Sequence, residues 1–198
     1  FSVDIKRCLR EIRDFDRIRR IYQGNLRYFF NHFPDLEGKS TEEIIEFFED
    51  NREEIERKLL KRKRAIEKAW KEIDNLFFSE IERITGQKWR FRRYECHLCS
   101  VWAGAYDIYK NNISVFGFFS KADYLDTIAE ELLHLHFWEI LKKFGFEEIR
   151  RKGSHIVMQK KVNNGTITVP VPDHREIRIG TLQSIIRQSG IPRSEFGN

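Results

Sequence analysis

The chain has 198 residues, 40% hydrophobic and 34% charged, with 17 Phe; that is room for one sizeable domain or two small ones, and enough apolar material to exclude wholesale disorder. No apolar run approaches the roughly 20 residues of a membrane span, the first ten residues alternate charged with apolar positions unlike a signal peptide, and the three Cys argue against a disulfide framework and for a reducing, cytoplasmic setting. The net charge of +5 hides an asymmetry, since residues 1–141 sum to −1 and residues 142–198 to +6, which points to two modules with a polyanion-facing surface on the second.

The missing initiator Met points to an upstream piece. From Val3 to about His32 apolar residues recur in steps of three and four (Ile5, Leu9, Ile12, Phe15, Ile18, Tyr22, Leu26, Phe29), which predicts one helix, ended by the stretch containing Pro34 and Gly38. Ser40 followed by Glu43 is a capping box that starts the next helix. Asn51 with Glu54 repeats the signal and predicts a break near Asp50. A long helix then runs to about Thr85 on Ile55, Leu59, Ile66, Trp70, Ile73, Phe77, Ile81 and Ile84, and Gly86 closes it. Trp89, Phe91 and Tyr94 alternate with Arg90, Arg92 and Arg93 and predict a half-buried strand. Ile113 to Phe119 predicts another strand, and helical spacing returns from Ala122 through Phe144, capped by Gly145. Strands follow at Phe146–Lys152, Ser154–Lys161 and Thr166–Val171, the last two joined by a turn at Asn163-Asn164-Gly165. A final helix starts near Thr181, which would cap it, and stops at Gly190.

In the last strands Ile156 and Met158 share one face, leaving His155, Val157, Gln159 and Lys161 on the other. His155 then sits on the open side of the sheet, with Arg150, Arg151, Lys152, Lys160 and Lys161 around it in sequence. A His that titrates near neutrality among cations suits RNA cleavage, which moves a proton from a ribose hydroxyl or onto a leaving oxygen while cations hold the phosphate. Equally, His155 is one more polar residue on a solvated face.

The stretch Leu141-Lys142-Lys143-Phe144-Gly145-Phe146, then Arg151-Lys152-Gly153-Ser154-His155, then Thr168-Val169-Pro170-Val171-Pro172, then Gly180-Thr181-Leu182-Gln183-Ser184-Ile185-Ile186-Arg187-Gln188-Ser189-Gly190 resembles the HicA toxins, small mRNA interferases of type II toxin–antitoxin pairs. The resemblance covers about residues 137 to 196. It implies an α-β-β-β-α fold like that of double-stranded-RNA-binding domains, a metal-independent ribonuclease without cofactor, and a HicB-type antitoxin partner that blocks the active surface. It also implies that His155 is the catalytic His of the family's Gly-Ser-His motif, with Arg151, Lys152, Ser154, Lys160, Lys161 and Arg187 facing RNA. Pro170 and Pro172 confine their strand to an edge or a strand end. His174 is assigned no role.

Upstream, Ile128-Ala129-Glu130-Glu131-Leu132-Leu133-His134-Leu135-His136-Phe137 resembles the active-site helix of zincin-type metallopeptidases with its first His replaced. Glu130 takes the first ligand position, Glu131 the base and His134 the second ligand; Glu139, one turn beyond, is a conceivable third. Cys96-His97-Leu98-Cys99 is a lone C-x-x-C, and a zinc site of Cys96, Cys99, His134 and Glu130 requires that strand to lie over the helix. The basic run Lys58, Lys61, Arg62, Lys63, Arg64 and Lys68 reads as a solvated face.

These readings combine into an α/β (α+β) chain: a helical, degenerate zincin-like part at 1–136, then a HicA-like unit at 137–198. The expected function is endoribonuclease; the alternatives are a non-catalytic RNA- or partner-binding protein and a zinc-dependent peptidase-like protein. No membrane is expected among its partners.

Overall fold

A computed structural model describes residues 1–21, 26–107, 109–152, 155–172 and 179–195; for Ile21, Arg151, Lys152, His155, Pro172, residues 179–183 and Arg193 it describes the backbone alone. Helices and two sheets share one connected core, so the mixed α/β class holds.

The front of the chain opens with a two-residue strand β1 (Ser2–Val3), then α1 (Ile5–Ile12), α2 (Phe15–Ile21) and α3 (Arg27–His32). The single helix expected to His32 is therefore broken after Ile12. Its apolar period runs through the break because Ile12, Phe15 and Ile18 all stay buried, and a bend that keeps one face inward leaves the period intact. Helix α4 (Thr41–Asp50) begins on the expected capping box: the Glu43 amide donates to Ser40 Oγ and the Ser40 amide to the Glu43 carboxylate. The long helix expected after Asp50 is also two, α5 (Arg52–Lys71) and α6 (Asp74–Thr85). At the joint the Ile73 amide donates to Trp70 O, tightening the last turn, while Trp70 Nε1 donates to Asp74 Oδ1 at 2.8 Å and Asp74 starts the new helix.

Residues 89–94 form no strand. Their polar groups find side-chain partners instead: the Trp89 amide donates to Glu82, the Phe91 amide to the Tyr94 hydroxyl, and Asn111 Nδ2 to Arg93 O. The strands are β2 (Glu95–Cys99), β3 (Gly104–Asp107) and β4 (Asn112–Phe116). The first sheet has the order β1-β2-β4-β3, with β1, β2 and β4 parallel and β3 antiparallel to β4. Neither β1 nor β3 announces itself by alternation. Cys96, Leu98, Ile113, Val115, Gly104 and Tyr106 share one face by register, the face that receives α7 (Lys121–Lys143). His97, Cys99, Ser114 and Phe116 share the other, where Arg7 of α1 donates to Ser114 and Tyr28 of α3 packs edge-on against Phe116. Burial on both faces explains why Ile113 to Phe116 reads as an apolar run interrupted only by Ser114, whose hydroxyl accepts from Arg7.

Helix α7 is capped by Ser120 and ends at Gly145, which has φ +80°. The Phe146 amide donates to Leu141 O and the Gly145 amide to Lys142 O, the paired bonds of a Schellman turn, with Phe146 and Leu141 both buried. Next come β5 (Glu147–Lys152), β6 (His155–Val162) and β7 (Gly165–Pro172), an antiparallel sheet with β6 central, then α8 (Ile179–Ser189). Asn163-Asn164 is a two-residue hairpin, since Val162 pairs with Gly165. As the prolines require, β7 is an edge strand. Helix α8 begins at Ile179, so Thr181 lies within it and is not its cap.

Candidate functional site

The second sheet is built on one row of side chains. Ile156 and Met158 of β6 are fully buried, pairing with Val171 and Val169 of β7, and Phe146, Ile185 and Ile191 join the same core. His155 opens β6 and pairs with Lys152 on one side and Pro172 on the other. Only Gly153 and Ser154 separate the paired Lys152 and His155; both lie outside the described residues, as does His174. Arg150, Arg151 and Lys152 end β5 at this corner, and Arg150 is exposed.

Other cations expected around His155 are elsewhere. Lys161 is six residues further along β6, about 20 Å at the rise of an antiparallel strand. Lys160 is on the opposite face from Lys161, the face of Ile156 and Met158. Its Cε lies 3.9 Å from where a Cβ on Gly145 would stand, so its charge sits by the C-terminal turn of α7, whose carbonyls favour a cation. Arg187 is exposed on α8, whereas Ile185 and Ser189 of the same helix are buried against the sheet; Arg187 therefore points to the outer side of the helix layer. Lys152 pairs with His155 and Arg150 with Val157, so these two share the face of His155, whereas Arg151 pairs with Ile156 and falls on the opposite face. The face carrying Val157 is not fully open either, for Val157, between Arg150 and Pro170, is only 8% exposed.

The metallopeptidase-like constellation does not assemble. Cys96 and Cys99 are three residues apart on one strand and so face opposite ways, Cys96 toward α7 and Cys99 toward α1, where its Sγ donates to Trp102 O and Val115 O. Burial pushes the Cys96 thiol up to about 12 and the Cys99 thiol well above its usual range, so both are protonated. Glu131 is buried against β3, with Oε1 only 2.2 Å from where a Cβ on Gly104 would stand, and the His134 ring stacks on Tyr106 at 4.7 Å. Glu139 pairs with Arg90 at 2.7 Å. Among the described residues no three His, Cys, Asp or Glu side chains are grouped to hold a metal ion. Of the basic run on α5, Lys58 and Lys63 pair with Glu54 and Glu67, and Arg62 donates to the carbonyls of Gly117 and Phe119.

Sequence reasoning missed a cavity of about 530 Å³ in the front half of the chain. Cys96 and Ile113 of the sheet and Ile128 and Leu132 of α7 line it, α6 and Trp70 form one wall, and residues 89–95 form the other. Its signal was the interleaving of Trp89, Phe91 and Tyr94 with three Arg, which the strand reading absorbed.

No helix among the described residues is long and apolar enough to cross a membrane. The family model of the HicA toxin of bacterial toxin–antitoxin systems matches residues 137–191, from the second half of α7 to the residue after Gly190. Comparison with curated proteins and with solved structures finds no match.

Proposed function

We propose that the C-terminal part of the chain is a toxin-type endoribonuclease, an mRNA interferase, with His155 as its acid–base group. The observation that carries this reading is the family match over 137–191, within which His155 heads the central strand and pairs with Lys152, with Arg150 on the same face by register. RNA cleavage at such a corner needs no group beyond those of the chain. The imidazole takes the proton of a ribose 2′-hydroxyl, that oxygen bonds to phosphorus, the bond from phosphorus to the 5′ oxygen breaks, and the imidazolium returns the proton to the leaving oxygen. Arg150 and Lys152, on the face of His155, supply charge for the phosphate, and single-stranded segments are the accessible substrate because a duplex holds the reactive hydroxyl in a fixed, stacked geometry. A HicB-type antitoxin that covers this corner is the partner the reading entails, and the cytoplasm, where mRNA is, the setting. In this reading the sheet and its two helices have a double-stranded-RNA-binding-like arrangement.

The test is cleavage of a single-stranded RNA in EDTA by the full chain and by His155→Ala. Cleavage by the parent and a loss of a hundredfold or more in the variant, in the range that general acid–base groups contribute, supports the reading. RNA that is bound but not cut by both makes the chain a non-catalytic RNA-binding protein.

A further inference from the structure

The cavity between α6 and residues 89–95 is not used by the cleavage corner. Its volume of about 530 Å³ falls within the roughly 300–1,000 Å³ usual for ligand sites. Phe78, Trp89, Phe91 and Tyr94 line it, all half-buried. The rings brace one another, Phe78 against Trp89 at 4.7 Å and Phe91 against Tyr94 at 5.7 Å, so they form a fixed aromatic wall.

The charges around the wall are unequal in availability. Asp74 is engaged by the Trp70 indole and Glu82 by Lys88 and the Trp89 amide. Arg92 and Arg93, both exposed at the rim, make no ion pair among the described residues. One face of Phe91 carries the Arg90 guanidinium at 4.9 Å and Trp89 packs on His136, so the lining offers the remaining ring surfaces beside the two guanidinium groups of Arg92 and Arg93. That combination is complementary to a nucleotide, whose base stacks on aromatic rings and whose phosphate binds arginine. An acidic peptide would use the arginines but leave the aromatic wall without a partner.

We propose that this cavity binds a nucleotide unit, with the base against Phe78, Trp89, Phe91 and Tyr94 and the phosphate at Arg92 and Arg93. The unit is either a free nucleotide or a link of single-stranded RNA; in the second case the inference rests on the ribonuclease reading and gives its substrate a second point of attachment, outside the cleavage corner.

The test uses the full chain carrying His155→Ala, so that RNA stays intact, with quenching of Trp70 and Trp89 fluorescence as the readout. The probes are adenosine monophosphate, a single-stranded oligoadenylate of ten residues, and polyglutamate. Binding of either nucleotide probe, weakened about tenfold or more in Arg92→Ala/Arg93→Ala and in Phe91→Leu, is the expected result. Oligoadenylate binding tighter than adenosine monophosphate identifies RNA as the source, and equal binding identifies the free nucleotide. With RNA, the slope of log affinity against log salt falls by about 0.7 in the double arginine variant, the share of the one phosphate held by the pair on a single strand. Binding of neither nucleotide, unchanged affinity in the arginine variant, or polyglutamate binding as tight as the nucleotides overturns the proposal. Failure of the parent chain to cut RNA bears on the cleavage corner alone, because the binding arms are read without cleavage.

Discussion

Replacing Gly104 by Ala tests what the Glu130-Glu131-x-x-His134 segment does in this fold. A methyl at Gly104 would lie 2.2 Å from Glu131 Oε1 and 2.9 Å from Thr127 Cγ2, against about 3.5–4.0 Å for unstrained carbon contacts. Thr127 and Glu131 are neighbours one turn apart on α7, and Glu131 is 2% exposed, so its carboxylate has no solvent to swing into. Either the carboxylate or β3 must therefore move by about 1 Å, which puts the substitution among overpacked cores at roughly 1–3 kcal/mol. At about 2 kcal/mol, a chain of this length loses about 4–8 °C in Tm. Urea unfolding of Gly104→Ala, followed by circular dichroism, reads the loss directly. The second arm is Gly104→Ala with Glu131→Ala, in which the clashing oxygens are gone. There the combined loss falls short of the sum of the single losses by about 1 kcal/mol or more. A Gly104→Ala protein within about 0.5 kcal/mol of the parent, or strictly additive losses, refutes the claim that Glu131 is packed on the strand rather than presented to a substrate.

His136 is held neutral by burial, its pKa lowered from the ordinary 6.5 to about 4, with Nε2 at 2.8 Å from Thr85 Oγ1. Because the unfolded chain takes up the proton first, this contribution is complete above pH 6.5 and is lost as pH falls toward 4. The loss is roughly 3 kcal/mol; urea midpoints at pH 7 and 4.5 should diverge in the parent and draw together in His136→Gln. Cys8, Cys96 and Cys99 are buried, with all three thiols pushed up by desolvation. Native protein at pH 8 should leave a disulfide reagent unconsumed, and unfolded protein should consume three equivalents; fast native labelling would refute the burial.

The parts of the fold that were legible in the sequence are those fixed by local chemistry. The capping box at Ser40 and Glu43, the αL glycine at Gly145, the Asn163-Asn164 hairpin and the edge position forced by Pro170 and Pro172 each follow from two or three adjacent residues. Periodicity failed where it is blind in principle, since it records which face is inward but not whether the helix bends between Ile12 and Phe15. Strands β1 and β3 escaped because short segments such as Ser2–Val3 and Gly104–Asp107 are held by neighbours distant in sequence. Residues 89–94 misled for the converse reason: a cluster of rings facing a cavity alternates with arginines as a strand would. Around His155 the sequence grouped cations by proximity along the chain. The rise per residue then separates Lys161, strand alternation puts Lys160 and Arg151 on the opposite face, and helix rotation removes Arg187, leaving Arg150 and Lys152 of β5 on the face of His155.

Helix α7 decides how the two halves relate. The family match begins at Phe137, yet α7 runs unbroken from Lys121 to Lys143. A unit starting at Phe137 would begin in the middle of a hydrogen-bonded helix, with four amides deprived of their carbonyl partners. The polar links between the halves, Arg90 with Glu139 and Tyr109 with Glu148, are partly exposed and so contribute at most about 1 kcal/mol each. Burial weighs more. Ile128 and Leu132 on the first half of α7 line the nucleotide-sized cavity, while Trp138, Ile140 and Leu141 on the second half are buried in the same core as Ile156 and Met158. A side chain of that size contributes about 1.5–3 kcal/mol on full burial, so these three hold the second half of α7 in that core more firmly than the two exposed pairs do. The front of the chain therefore runs into the second sheet through a continuous helix rather than a tether.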